Sequence, residues 1–202
     1  MIGVASGEGL CVLTIAREDK ANSLTKDMLL GLAKAVEHAS ADPSVHALVL
    51  TGKGKVFSAG ADLEAARAGL ATDPCWEHLS HAIAESPILT IAALNGTAAG
   101  GALGMVLAAD IRIAHPSASL FYPVMRLGFL PQPSDPKRLA ALVGRARAKL
   151  LLMGGAKIDA EEACRIGLVD QIADAPLEAA RTLATDVLGA ERTHVTTIKK
   201  MI

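Results

Sequence analysis

The segment Ser86–Ala109 carries no charged side chain, and glycines interrupt it near its middle. The apolar run Ile88–Leu94 comes first, and Asn95–Gly96, a dipeptide typical of turns, ends it. Gly100–Gly101 then precede a second apolar run. This order predicts a buried strand, a glycine turn and the first turns of a buried helix. Glycine permits close approach to the backbone, and the first N–H groups of a helix have no intrahelical partner. The stretch can therefore offer N–H groups to an anionic oxygen.

An alternative interpretation of the same segment is a membrane-spanning helix. Ser86–Ala109 is long enough to cross a bilayer, and Gly96, Gly100 and Gly104 recur at the four-residue spacing of packed membrane helices. However, a turn dipeptide lies inside the segment, and neither an aromatic belt nor an asymmetry of lysine and arginine flanks it. We therefore expect a globular protein without a membrane partner.

The length and charge of the chain limit its class. Its 202 residues suit one domain, residues 1–202, with a substantial core. Apolar residues make up 51% of the chain but aromatic residues only 2%, so the core must be aliphatic. The formal net charge is −1 and no basic block occurs, which argues against a nucleic-acid partner.

The cysteines and the N-terminal residues indicate the compartment. Cys11, Cys75 and Cys164 are far apart in the sequence, without a CxxC pair or a histidine cluster. This pattern favours a reducing compartment and predicts neither a disulfide framework nor a metal site. Met1–Leu10 has no basic start and no long apolar stretch, so no secretory signal is predicted. We expect a cytoplasmic protein.

Strand and helix patterns alternate along the chain, which predicts an α/β fold with parallel strands and right-handed crossovers. The predicted strands are Leu10–Ile15, Ala47–Thr51, Ile88–Leu94, Ile111–Ala114, Leu120–Tyr122 and Leu168–Ile172, together with a short strand at the start of Val56–Leu63. The predicted helices run from Ser23 or Thr25 to about Ala39, over Trp76–Glu85, over Lys137–Met153 with an interruption at Gly144, over Asp159–Arg165, from Pro176 to about Leu188, and onward from Thr193. The proline-rich segment Gly128–Pro136 is predicted to be irregular.

A second stretch repeats the strand–glycine–helix plan. Val56–Leu63 reads as a short strand, a run of small residues and a helix that starts at Asp62. The two similar units could place two helix starts side by side. A nucleotide-binding fold is the competing interpretation, but neither unit has GxGxxG spacing.

Four motifs resemble those of the crotonase superfamily, the enoyl-CoA hydratase/isomerase group, and they occur in the family's order. Val56–Leu63 is similar to the first family fingerprint, and Asn95–Gly101 with Ala109–Ala114 is similar to the second. Lys20–Leu24 resembles the family's Lys-Arg-Asn-Ala-Leu box, and Ala163–Val169 resembles its Ala-x-x-x-Gly-Leu-Val signature. Each motif alone is weak, but the set in order is specific.

The resemblance implies a crotonase-like spiral of ββα turns with a helical C-terminal region and an acyl-CoA bound along it. It implies no cofactor beyond the CoA moiety of the substrate. It also implies a homo-oligomer, either a trimer or a dimer of trimers. Relatives usually continue through further helices, so we expect this domain to be short at its C-terminal helical end.

The resemblance further implies that two backbone N–H groups, those of Ala61 and Gly101, polarise the thioester carbonyl. Two fixed amides can meet the charge that an enolate or a tetrahedral adduct places on this oxygen. The alternative is that the glycines near them serve only tight turns. The CoA contacts implied by the motifs are Lys20, Ala59, Ala61, Asp62 and Leu63.

Two glutamates of the family's hydratases are replaced here by Gly104 and Val124. Addition of water to a double bond needs a positioned base and acid, so these replacements argue against hydration by the usual two-glutamate mechanism. Asp135 and Tyr122 are candidates to supply the missing chemistry. The simpler interpretations are a helix cap for Asp135 and a packed ring with its hydroxyl at the rim for Tyr122.

The sequence therefore favours an enzyme that acts on CoA thioesters as a lyase or isomerase and relies on its oxyanion hole. Double-bond shift, decarboxylation and thioester cleavage depend less on the two absent glutamates than hydration does. The alternative is a non-catalytic protein that binds acyl-CoA or an acyl-carrier protein.

Overall fold

The computed structural model describes residues 1–202, which form ten strands and ten helices. The strands are β1 (Ile2–Gly7), β2 (Leu10–Ile15), β3 (Ala47–Gly52), β4 (Val56–Ser58), β5 (Leu89–Leu94), β6 (Thr97–Ala99), β7 (Ile111–Ala114), β8 (Ser119–Phe121), β9 (Ile158–Asp159) and β10 (Gln171–Ile172). The helices are α1 (Lys26–Ala41), α2 (Leu63–Arg67), α3 (Cys75–Ala84), α4 (Ala102–Ala108), α5 (Val124–Leu127), α6 (Asp135–Leu152), α7 (Ala160–Arg165), α8 (Pro176–Leu183), α9 (Thr185–Gly189) and α10 (Arg192–Met201).

The strands form two sheets. The larger has the order β1-β2-β3-β5-β7-β10 and the smaller the order β4-β6-β8-β9. Only the pairs β1–β2 and β8–β9 are antiparallel, and all others are parallel. Successive turns of the chain place one strand in the larger sheet, one in the smaller sheet and then helix, as in β5, β6 and α4. This confirms the predicted α/β spiral of ββα turns with a helical C-terminal region.

Both faces of the larger sheet are covered, which explains why most of its strands lack charged residues. One face contributes Leu13 and Leu50 to a core of 44 buried residues that also includes α1, α3 and α4. The other face contributes Val12 and Val49 to a cluster of nine buried residues, which Ala180 of α8 helps to close. The alternation along β2 and β3 thus divides each strand between two cores.

Three predicted helix starts have side-chain caps. The hydroxyl of Thr25 and the carboxylates of Asp62 and Asp159 each accept a hydrogen bond from an N–H group in the first turn of α1, α2 and α7, respectively. Such caps satisfy N–H groups that have no partner inside the helix. The predicted interruption of α6 is also present, because Gly144 has a φ of 78° inside it.

Four elements, β1, β6, β9 and α5, were not predicted from the sequence. They are short or lie at an exposed edge, so their partners rather than a local apolar pattern hold them. The prediction that residues 128–136 are irregular is wrong at its end, because α6 already begins at Asp135. The last strand is shorter than predicted, and the helix that begins at Pro176 is divided at Ala184 into α8 and α9.

The uncharged segment does not form one long helix. Ser86–Ala109 is divided into β5, β6 and α4, and α4 has seven residues. None of the helices combines the length and the apolar character that crossing a membrane requires.

The charged residues of the second fingerprint tie the larger sheet together. The Asp110 carboxylate accepts hydrogen bonds from the N–H of Thr90 (2.8 Å) and from Lys199 Nζ (2.6 Å). Arg112, which is 4% exposed, forms an ion pair with Asp170 at 2.8 Å. These contacts join β7 to β5, to α10 and to the segment before β10. The charged residues of the second fingerprint therefore stabilise the fold, separately from its glycines.

Candidate active site

The two strand–glycine–helix units lie side by side. β4 and β6 are parallel neighbours, so the loops that follow them leave the smaller sheet at the same edge. A Cβ atom added to Gly60 would lie 2.7 Å from the carbonyl oxygen of Ala99 and 3.4 Å from the nitrogen of Gly101. The loops after β4 and β6 are thus in backbone contact, as the repeated sequence plan suggested.

The N–H groups of Ala61 and Gly101 donate to no other group of the protein. Leu24 donates to the carbonyl of Gly60 (2.8 Å) and accepts from the N–H of Asp62 (2.9 Å). This parallel bridge uses the groups on either side of Ala61 and leaves its own N–H directed away from Leu24. Gly101 is the N-cap of α4, a position whose N–H has no partner inside the helix.

Ala61 and Gly101 line one cavity of about 370 Å³. Fifteen of its twenty lining residues are hydrophobic, and none of the twenty carries a charge. Leu63 and Val124 are among the apolar residues of its wall. The arrangement is an apolar chamber with two unpaired backbone N–H groups at its wall, which suits an uncharged chain that carries one polar oxygen.

Trp76 forms part of the wall of this chamber. It was predicted to lie on a helix but was not predicted to belong to the site. A Cβ atom at Gly101 would lie 3.1 Å from the indole ring, so the ring packs directly on the glycine. Its Nε1 donates to the carbonyl of Leu70 at 2.9 Å, which fixes the ring plane. The only usable signal in the sequence was that Trp76 is the single tryptophan of the chain.

The space beside Gly104 is filled by the carboxyl group of Asp135. A Cβ atom at Gly104 would lie 3.1 Å from Asp135 Oδ1 and 3.3 Å from Oδ2. Asp135 is fully buried, and its Oδ2 accepts a hydrogen bond from the Tyr122 hydroxyl at 2.9 Å. Oδ1 has no hydrogen-bond donor. The structure therefore brings the two candidate residues together beside Gly104.

Burial shifts the protonation of both groups. Loss of solvent raises the pKa of Asp135 to about 6, against the opposing effects of the Tyr122 hydrogen bond and the charge of Arg138. Loss of solvent, together with the neighbouring Asp135 charge, raises the pKa of Tyr122 far above its ordinary value. At neutral pH the pair is therefore mostly a carboxylate that accepts a hydrogen bond from a neutral phenol.

The simpler interpretation is wrong for Asp135, and for Tyr122 it is right about the packed ring but wrong about the hydroxyl. Asp135 is the first residue of α6 rather than its cap, since Ser134 occupies the N-cap position and makes no side-chain cap bond. Tyr122 is 4% exposed, and its hydroxyl is buried against Asp135 instead of lying at the rim. Tyr122 nevertheless lines the chamber, whereas Asp135 lies behind the chamber wall.

The residues implied for CoA binding divide into two groups. Ala59, Ala61 and Leu63 line the chamber, whereas Lys20 and Asp62 do not. Lys20 is exposed at the end of a short 3-10 turn. The carboxylate of Asp62 caps α2 and pairs with Arg17 at 2.8 Å, and these hydrogen bonds lower its pKa.

Asn22 forms hydrogen bonds to the segment that leads into β4. It is fully buried with a left-handed φ of 54°, and its Nδ2 donates to the carbonyls of Lys53 (2.9 Å) and Val56 (2.6 Å). Its Oδ1 accepts from the N–H of Arg17 at 2.8 Å, and its own carbonyl accepts from Ser58 Oγ. The side chain thus joins residues 17–22 to residues 53–56, and the main-chain carbonyl adds a contact to Ser58.

Replacing Asn22 with alanine is expected to lower the free energy of unfolding by about 2–4 kcal/mol, because the carbonyl of Lys53 and the N–H of Arg17 lose their partner and the carbonyl of Val56 keeps only Asn95. Urea unfolding monitored by circular dichroism measures this change. Asn22→Asp keeps the shape but places a carboxylate against the carbonyls of Lys53 and Val56, so it should destabilise at least as much. A change below about 0.5 kcal/mol, the range of ordinary surface substitutions, would contradict the assignment.

Comparisons with known proteins show which family the chain resembles. A family model described as enoyl-CoA hydratase/isomerase matches residues 5–202. A Mycobacterium tuberculosis protein named probable enoyl-CoA hydratase EchA14 is 39% identical over 189 residues, which cover 91% of this chain and 73% of that protein. The crystal structure of an enoyl-CoA hydratase from Bacillus anthracis has a TM-score of 0.91 and 31% identity, covering 98% of this chain and 81% of its own.

The structure of DspI from Pseudomonas aeruginosa is also similar, with a TM-score of 0.90 and 37% identity over 98% of this chain and 78% of that one. The family match spans nearly the whole chain and includes both glycine loops and α4. The chain therefore belongs to the enoyl-CoA hydratase/isomerase family, in the crotonase superfamily.

Proposed function

We propose that the protein binds an acyl-CoA thioester and holds its carbonyl oxygen between the N–H groups of Ala61 and Gly101. The observation that carries this proposal is the pair of unpaired amides in adjacent loops at the wall of one uncharged chamber. Amides fixed by the fold need no rearrangement when charge develops on the oxygen, and one such donor is commonly worth about 3 kcal/mol of barrier. The acyl chain would occupy the apolar part of the chamber, and no cofactor beyond the CoA moiety is required.

The proposed chemistry passes through a thioester enolate or a tetrahedral adduct. Gly104 and Val124 have no ionisable side chain, so hydration with two glutamates is not available to this chain. A double-bond shift within the acyl chain fits best, because it needs proton removal and return but no activated water. Decarboxylation and thioester cleavage are the other reactions that an oxyanion hole of this kind can support.

A matched pair of ligands tests the oxyanion hole without changing the protein. An acyl-CoA and the corresponding alkyl-CoA thioether differ only by the carbonyl oxygen. Loss of two hydrogen bonds to the thioether is expected to weaken binding by roughly five- to a hundredfold, measured by isothermal titration calorimetry. Equal affinity for the two ligands would contradict the placement of the carbonyl at Ala61 and Gly101.

The second candidate function is non-catalytic binding of an acyl-CoA or an acyl-carrier protein. The absence of any charged side chain from the chamber wall favours it. A panel of 2-enoyl, 3-enoyl, malonyl and saturated acyl-CoA esters separates the two functions. Turnover of any ester supports the enzyme, whereas tight binding of several esters without turnover supports the carrier.

A homo-oligomer, either a trimer or a dimer of trimers, is part of the proposal because family membership favours it. Analytical ultracentrifugation of the purified chain, with and without acyl-CoA, measures the assembly. A monomer at micromolar concentration in both conditions would exclude this part of the proposal while leaving the binding site unaffected.

A further inference from the structure

We propose that the carboxylate of Asp135 is the proton acceptor of this site and takes up and returns a proton of the acyl chain through the hydroxyl of Tyr122, in place of an acid at position 104. The inference rests on the proposed function and deepens it: it assigns the acid–base group and selects double-bond isomerisation as the reaction. Tyr122 is then the residue that touches substrate, and Asp135 acts through it.

The first support is the way in which Gly104 and Asp135 share one space. The carboxyl oxygens of Asp135 lie 3.1 and 3.3 Å from the point where a Cβ atom at Gly104 would begin. A glutamate at position 104 would need the volume that the Asp135 carboxyl fills. The chain thus keeps a carboxyl group one helical turn beyond the Gly101 amide, but α6 supplies it instead of α4.

The second support is that the carboxyl group is held in place without being neutralised. Ser134 donates its hydroxyl to the carboxylate of Glu77, and Arg138 donates to Ser80 Oγ at 3.0 Å, so the first turn of α6 is fastened to α3 on both sides of Asp135. No cation pairs directly with Asp135, and its Oδ1 has no donor. A buried carboxyl group left unsatisfied is costly, and such groups concentrate at functional sites.

The third support is the position of Tyr122 between the chamber and the carboxyl group. The residue lines the chamber, and its hydroxyl donates a hydrogen bond to Asp135 Oδ2 with 2.9 Å between the two oxygens. Since a phenolic oxygen has two acceptor lone pairs, it can accept a proton while it passes its own proton to the carboxylate. This is the arrangement that a two-step proton relay needs.

The step balances without any other reactant. The Tyr122 oxygen accepts a proton from the carbon next to the thioester carbonyl as the phenolic proton moves to the Asp135 carboxylate. The electron pair of the broken C–H bond enters a dienolate, whose oxygen the Ala61 and Gly101 N–H groups stabilise. The relay then runs in reverse and protonates the carbon two positions further along. The double bond has moved by one place, and Asp135 is ionised again.

The relay starts from ionised Asp135, so the rate should rise with pH. The groups around the carboxyl are Tyr122 after β8, Glu77 on α3, which raises its pKa, and Arg138 on α6, which lowers it; α4 contributes no ionisable residue. With the pKa of Asp135 raised by burial to about 6, kcat should increase as pH passes through about 6 and then level off.

The test follows interconversion of 3-enoyl-CoA and 2-enoyl-CoA by ultraviolet absorbance in the full-length protein. Asp135→Asn and Tyr122→Phe are each expected to lower kcat by about a hundredfold or more, with acyl-CoA affinity changed less than about threefold. Asp135→Asn should also lose the rise in kcat near pH 6. Asp174→Asn, at an exposed site outside the chamber, is the matched control and should keep full activity.

A variant that moves the carboxyl group separates a proton-transfer role from a structural one. Gly104→Glu combined with Asp135→Ala returns the acid to α4, and its kcat should be at least about tenfold higher than that of Asp135→Ala alone.

Isomerisation in D₂O should yield product that keeps most of its original hydrogen, because the relay is buried from solvent.

The outcomes distinguish this inference from the proposed function. If Asp135→Asn keeps the kcat of the wild-type protein, the relay is overturned while the proposed acyl-CoA binding stands. If Asp135→Asn does not fold, an unchanged kcat in Tyr122→Phe leads to the same conclusion. Binding of acyl-CoA by the wild-type protein without any isomerisation also overturns the relay alone. Failure of the wild-type protein to prefer the thioester over the thioether overturns the proposed function, and the relay with it.

Discussion

Replacing Gly60 with alanine is expected to lower kcat/KM for an acyl-CoA substrate by about a hundredfold or more, because misplacing catalytic groups by about 1 Å costs that much. Gly60 has a φ of 89°, which an L-residue rarely adopts. The added Cβ would lie 2.7 Å from the carbonyl oxygen of Ala99 and 3.4 Å from the nitrogen of Gly101. The loop after β4 must therefore move away from the loop after β6. The two N–H groups would no longer converge on one oxygen.

Gly155→Ala is the matched control for this variant. Gly155 also has a positive φ, 65°, but an added Cβ would meet no atom within 4 Å. Both variants carry the strain of an alanine in the left-handed region, typically about 1 kcal/mol, whereas only Gly60→Ala forces two site loops apart. We expect Gly155→Ala to lose some thermal stability and retain turnover. Equal turnover in the two variants, or an undiminished preference of Gly60→Ala for thioester over thioether, would contradict the oxyanion assignment.

The parts of the fold that the sequence predicted are those with a local cause. Strands buried on both faces must be continuous apolar runs, and Leu10–Ile15 and Ala47–Gly52 are such runs. Helix starts follow from capping residues such as Thr25 and Asp159. The two unpaired amides, proposed to form the oxyanion hole, could be located from the sequence because a backbone donor needs only small residues at a loop–helix junction, a pattern that the two fingerprints carry.

The parts that could not be predicted depend on contacts between distant segments. Asp135 fills the space beside Gly104, 31 positions earlier in the chain, and no pattern around either residue reports this. The hydroxyl of Tyr122 is likewise buried only because α6 places a carboxyl group against it. Trp76 packs on Gly101 from a helix that was predicted with Trp76 on its apolar side, but the sequence does not report which loop lies against that side. The residue types at positions 104 and 124 were visible in the sequence, whereas the carboxyl group beside Gly104 was visible only in three dimensions.

Gly96 shows that a correct local prediction can rest on an incomplete reason. Asn95–Gly96 was predicted to form a turn, and a bend does follow β5. However, Gly96 does not have a positive φ, so backbone freedom is not what requires glycine here. An added Cβ would lie 1.9 Å from the carbonyl oxygen of Lys55 and 3.2 Å from the Cα of Val56. The glycine is needed because the chain before β4 passes directly against it.

Gly96→Ala is therefore expected to destabilise the protein by about 4 kcal/mol or more, which corresponds to a loss of roughly 8–16 °C in Tm for a domain of this size. The clash is with backbone, so no side-chain rotation relieves it. Asn95 adds to the cost, since its Nδ2 donates to the carbonyls of Gly54 (2.8 Å) and Val56 (3.1 Å) and holds the same two segments together. Thermal unfolding by circular dichroism measures the change.

Gly31→Ala provides the comparison, because Gly31 is an exposed residue inside α1 where an added Cβ would meet nothing within 4 Å. Alanine there should leave Tm unchanged or raise stability by up to about 1 kcal/mol. If Gly96→Ala and Gly31→Ala had the same Tm, the close approach at Lys55 would be refuted. Gly96 also controls the distance between β4 and β6, which carry the two loops with the unpaired amides. Any folded fraction of Gly96→Ala should therefore bind thioester and thioether with more similar affinity than the wild-type protein does.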